Sequence, residues 1–213
     1  MGKAVCIMKR DDHYLFVDFE FTMPEGKNNP LGFFPEIIEY GIVEVKGGEV
    51  INQYNSYVMP RVFPILPDRC KKFLSISEED LGKGESFEDF LRLLQKLNRP
   101  NDPTIVTWGN MDLKVLMRNC QYAGHTFPLT GKQLDLSLEY KRFFGDRNQT
   151  GLWKAIQQYG DKTAGIWHRA LDDAMMTYEL FKRIELDRRY VDNYKSTTIG
   201  DVVNFSQLFN GLT

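Results

Sequence analysis

The chain has 213 residues, 42% of them hydrophobic and 26% charged, the balance of a packed globular fold and not of a disordered segment. A formal net charge of −2 excludes a global basic field and leaves only a local groove for a polyanion. The uncharged stretches are too short to span a bilayer, the N-terminus lacks a cleavable leader pattern, and Cys6, Cys70 and Cys120 follow no disulfide or CxxC spacing. These features predict one domain over residues 1–213 with reduced thiols in a cytoplasm, its core at about 14–187 and a tail at about 190–213.

Residues 14–20 are an apolar, β-favouring run ending in acid, which reads as a buried strand. Residues 23–36 are rich in Pro, Gly and Asn and form a loop. A second strand is expected over 37–45 and a third over 49–58. Gly47-Gly48 between them suits a two-residue hairpin turn. A Pro-rich connector follows, then two capped helix starts: Ser77 before Glu78-Glu79-Asp80, and Ser86 three before Asp89. Residues 104–108 read as a fourth strand and 111–123 as an amphipathic helix. Further helices are expected at about 134–144, 152–159 (closed by Gly160) and 171–186. Ala174, Tyr178, Phe181 and Ile184 form the inward stripe of the last one, and a weak helical tendency appears near 202–209. Three strands followed by alternating helices and strands imply a mixed α/β sheet flanked by helices.

The chemistry gathers at element ends. Asp18 and Glu20 are i and i+2 on a strand, so both carboxylates leave one face side by side. Like charges this close are unfavourable unless a cation or proton neutralises them. A strand end simply reaching solvent is the alternative reading. Asp112 opens a helix after Trp108-Gly109-Asn110 and either favours the helix dipole or reaches a site. His168 precedes Asp172-Asp173 at the head of the last helix, where paired acids also serve the dipole. Four carboxylates and one histidine together are the ingredients for phosphodiester hydrolysis with two hard divalent ions, Mg²⁺ or Mn²⁺. A neutral imidazole suits the removal of a proton from the attacking water.

In order and spacing, Asp18-Phe-Glu20, Trp108-Gly-Asn-Met-Asp112 and His168-x-x-x-x-Asp173 resemble the three motifs of the DEDDh branch of DnaQ-like 3′→5′ exonucleases. That family has a ribonuclease-H-like fold. The tyrosine branch would place Tyr where this chain has Arg169. Asp18–Gly26, Pro35–Gly41, Asp135–Gly145 and Gln149–Trp153 are similar to the Eri-type members. Within these they look like a bacterial group described as inhibitors of a sporulation kinase pathway.

The resemblance implies metal ligation by Asp18, Glu20, Asp112 and Asp173, with His168 as general base. It also implies binding of a nucleic acid 3′ end, RNA favoured over DNA. Phe21, Thr22 and Met23, directly after the acid pair, are candidate contacts to the terminal nucleotide. Core packing is the alternative for Phe21 and Met23. Lys114, Arg118, Arg147 and Arg169 are candidate phosphate contacts or ordinary solvated side chains. Glu39 is either a supporting group or a plain strand residue. A rival function is a regulatory scaffold in a sporulation signalling pathway that binds without turnover. A second rival is an endonuclease of the ribonuclease-H type.

Overall fold

The computed structural model describes residues 9, 11–26, 29–99, 102–160 and 169–193. His168 and the tail from 194 lie outside the described residues, as does Cys6. β1 (His13–Phe21) runs antiparallel to β2 (Ile37–Lys46), which pairs antiparallel with β3 (Glu49–Tyr57). Gly47 and Gly48 join these last two at φ 59° and 86°, the positive pair that a hairpin turn of matching twist requires. After α1 (Asp68–Leu74), α2 (Glu78–Gly82) and α3 (Phe87–Asn98) come β4 (Thr104–Thr107) and α4 (Met111–Ala123). β5 (Gln133–Asp135), α5 (Leu136–Phe144), α6 (Leu152–Gln158) and α7 (Ala170–Asn193) complete the order. β4 lies parallel to β1 and β5 parallel to β4, giving one mixed sheet in the order β3-β2-β1-β4-β5.

Alternation along β1 divides the core. Leu15, Val17 and Phe19 face α3 and α4, while Phe16 faces α5, α6 and α7. Asp18 and Glu20 share the parity of Phe16, so they emerge on the face that α7 covers. Ala174, Tyr178, Phe181 and Ile184 are all buried there, as their spacing predicts. Gly41 brings α7 close. It pairs with Asp18 across the sheet, and a Cβ built on it would lie 2.1 Å from both the Ala170 carbonyl carbon and the Leu171 nitrogen. Only a residue without a side chain admits the helix at that distance.

Three expectations need correction. Residues 133–135 form a strand and not the start of a helix; Asp135 caps α5 by accepting from the Ser137 and Leu138 N–H groups. α1 falls inside what reads as a Pro-rich connector. α7 continues to Asn193, beyond the expected end at 186 and into the expected tail. The apolar stripe stops at Ile184, but Arg188 bridges Glu139 and Glu185, and Tyr159 donates to Asp187. These contacts hold the extra turns without an apolar face. No described helix is long and apolar enough to cross a membrane.

Candidate active site

Three carboxylates converge where β1 ends under the first turn of α7. One oxygen each of Asp18, Glu20 and Asp173 lies within 4.8 Å of the others. Strand geometry supplies the first two and the close approach at Gly41 supplies the third. Asp173 N–H donates to the Arg169 carbonyl (3.0 Å), and its own carbonyl accepts from Thr177 Oγ1 (2.9 Å), which locks it in the opening turn.

Asp112 arrives from the opposite face. β1 and β4 are paired only from Tyr14/Thr104 to Phe16/Val106. Beyond that, the Phe19 N–H has no strand partner on the β4 side and donates instead to Asp112 Oδ1 at 3.0 Å. α4 is thereby pinned so that its buried first-turn acid sits at the gap. The site lies outside the carboxyl end of a strand with parallel and antiparallel neighbours, the position where open α/β sheets place ligands.

The electrostatics are those of closely crowded, buried acids. Burial, reinforced by Asp112, Asp173, Glu20 and Glu39, holds Asp18 well above the usual carboxylate range. Burial, with Asp173, Glu39 and Asp112, pushes Glu20 to about 8 against the opposing charge of Arg169. Burial and neighbouring Asp172 raise Asp173 to about 7, with the indole of Trp153 opposing. Asp112 is raised by burial to about 6, restrained by the backbone N–H groups it meets. Asp173 Oδ1 is also buried with no hydrogen-bond partner among the described residues. Hard oxygen donors, one of them an orphan, with raised proton affinity fit a hard divalent cation, which would compete with protons for them.

The other predicted residues are placed as follows. Thr22 is fully buried, and its hydroxyl accepts from the Glu36 N–H (2.9 Å), so it anchors the following loop and offers no exposed surface to a ligand. Phe21 and Met23 are half-buried and pack against separate apolar clusters. Arg169 pairs with Glu39 at 3.0 Å and lies over the Tyr57 ring. Arg118 lies over Phe34, while Lys114 and Arg147 are exposed.

Sequence reasoning did not single out Asp135, whose Oδ1 accepts from the Gly109 N–H (3.1 Å) and so ties the loop before Asp112 to β5. Its place before a helix start was the available signal. Trp153 beside Asp173 carried none, because the two meet only in three dimensions.

Fold and carboxylate cluster together define a ribonuclease-H-like, divalent-metal exonuclease. The Exonuclease (RNase_T) family model matches residues 15–181, and the chain belongs to that family. It is 51% identical over 199 residues to the probable 3′-5′ exonuclease KapD of Bacillus subtilis (strain 168), a match covering 93% of this chain and 97% of that protein. Identity to human 3′-5′ exoribonuclease 1 is 28% over 174 residues, or 76% of this chain and 49% of that one, so the chain spans about half of that relative. The nuclease domain of 3′hExo, a DEDDh family member solved with rAMP, superposes with a TM-score of 0.75 at 26% identity, covering 84% of this chain and 94% of that one. Escherichia coli Exonuclease I with a dA16 oligonucleotide, at TM-score 0.69 and 15% identity over 84% of this chain and 42% of that one, shares the fold. The protein is a DEDDh-type 3′→5′ exonuclease.

Proposed function

We propose that the chain releases nucleoside 5′-monophosphates one at a time from the 3′ end of single-stranded or 3′-overhanging nucleic acid, with RNA preferred to DNA. The convergence of Asp18, Glu20 and Asp173 oxygens within 4.8 Å carries this reading. Asp18, Glu20 and Asp173, together with Asp112 at the far side of the strand end, would hold two Mg²⁺ or Mn²⁺ ions. Such ions would supply neutralisation of the acids and the phosphate and stabilisation of charge on the attacking and leaving oxygens.

The chain's own residues do the rest. His168 takes the proton from the attacking water, whose oxygen bonds to phosphorus as the 3′-oxygen of the penultimate nucleotide departs and takes a proton from solvent, to which His168 then returns its own. The exposed parts of Phe21 and Met23 border the acid pair and stack against the terminal base. The rAMP of 3′hExo and the exoribonuclease name of the human relative favour RNA.

The test is metal-dependent degradation of matched single-stranded RNA, single-stranded DNA and duplexes with 3′ overhangs. Mononucleotides should accumulate from the first turnover, fastest on RNA. Internal fragments would assign an endonuclease instead. No release from any substrate with either metal would leave a regulatory scaffold.

A further inference from the structure

We infer that Arg169 is a positioning residue, not a phosphate contact: clamped by Glu39 and Tyr57, it fixes the head of α7 and with it the metal-ligating Asp173. The inference rests on the metal-dependent reading above. Sheet register carries it. Glu20, Glu39 and Tyr57 are direct cross-strand partners on β1, β2 and β3, so they form one row across the sheet on the face that α7 covers.

Arg169 lies along this row. Its Nε donates to Glu39 Oε1 at 3.0 Å, and its guanidinium carbon is 5.6 Å from the centre of the Tyr57 ring. Glu39 is 2% exposed, and a buried acid needs a counter-charge or hydrogen-bond donors, which Arg169 supplies here. The backbone of the same arginine receives the Asp173 N–H at 3.0 Å. A side-chain clamp from β2 and β3 therefore acts one hydrogen bond away from a ligand.

Glu39 has a second consequence. It stands beside Glu20, so an unpaired Glu39 would bring one more acid, and when ionised one more negative charge, to the crowded cluster. Arg169 cancels that charge in place, and its recruitment by a phosphate would leave Glu39 buried and uncompensated. The geometry gives the guanidinium one stable assignment, to the protein. Partners that orient a ligand in this way change metal affinity or activity by about 10–100-fold when removed.

The experiment is a double-mutant cycle of Arg169→Ala and Glu39→Gln on a short 3′-labelled RNA. It is read as kcat and KM separately, with Mn²⁺ affinity by calorimetry and amide exchange of the Asp173 N–H in the metal-free protein. Wild-type hydrolysis on this RNA checks the underlying reading on its own; without it, the calorimetry and exchange arms still test the clamp. Arg169→Ala should lower kcat roughly tenfold or more with KM within about twofold. It should weaken Mn²⁺ binding and speed Asp173 exchange, and in the Glu39→Gln background it should add little.

A rise in KM alone, with a shallower salt dependence and unchanged exchange, would make Arg169 a phosphate contact and overturn the proposal. Additive effects would also overturn it. If Arg169→Ala does not fold, Arg169→Lys replaces it. Lysine keeps the charge but not the planar fork, so intermediate exchange and kcat are expected, and wild-type values for both would sink the clamp.

Discussion

Two groups of buried acids in this molecule are treated in opposite ways. Glu36 accepts from the backbone N–H groups of Arg61, Val62 and Phe63 at 2.7–3.2 Å. Glu44 meets His13, Asn52 and Tyr54. Each is surrounded by donors, and nothing further is required of it. At the end of β1, Asp18, Glu20 and Asp173 instead face one another and Asp112. The fold satisfies the first group and leaves the second in debt to a cation. An acid that the protein already satisfies is structural, whereas an acid surrounded by acids marks a site.

That contrast can be broken most sharply at Asp173. Asp173→Asn removes a ligand charge at constant volume, so hydrolysis should fall roughly a thousandfold or more, equivalent to several kcal/mol of lost transition-state stabilisation. The metal-free melting temperature should hold or rise, because a buried like charge has gone. Unchanged rates on labelled RNA would show the third ligand to be misassigned.

His168→Ala should slow chemistry by roughly a hundredfold or more while Mn²⁺ binding persists by calorimetry. Loss of binding would make His168 a ligand.

Glu36→Gln should do the reverse of Asp173→Asn. With no carboxylate to receive three N–H donors, the fold should lose about 1.5–3 kcal/mol, or about 3–12 °C of melting temperature at 2–4 °C per kcal/mol. A neutral result would remove the distinction between the two groups.

The last effect is in pH. Glu20, Asp173 and Asp112 hold protons to about 8, 7 and 6 in the folded chain, against about 4 when unfolded. The folded state binds more protons, so their contribution is full below about pH 4 and declines as pH rises through the folded values. The metal-free melting temperature should therefore fall as pH rises from 5 to 8, and saturating Mg²⁺ should restore it, more so at pH 8. A metal-free stability that rises over that interval would contradict the picture of an uncompensated cluster.

How much of this was legible depended on how far apart the interacting residues are in the chain. Asp18 and Glu20 could be read as a pair because strand alternation is a local rule. α4 matched its predicted bounds, Met111–Ala123, because apolar spacing is local too. β5 was lost because three residues carry no period, and its identity comes from its pairing with β4. The end of α7 was lost because Arg188 and Asp187 hold it by pairs with other elements. Asp112 became a candidate ligand only in company, and the choice of Asp173 over Asp172 needed family spacing. Arg169 and Glu39, 130 positions apart, left no trace in the sequence as a pair.

Gly41 gives the site a requirement that no list of catalytic residues contains. The first and third carboxylate motifs meet because the backbone of α7 rests on the bare α-carbon of β2. A homologous sequence could keep Asp18, Glu20 and Asp173 and still hold them too far apart to share an ion, if any side chain stood at position 41. For sorting active members of this fold from silent ones, that single glycine should be read alongside the acids.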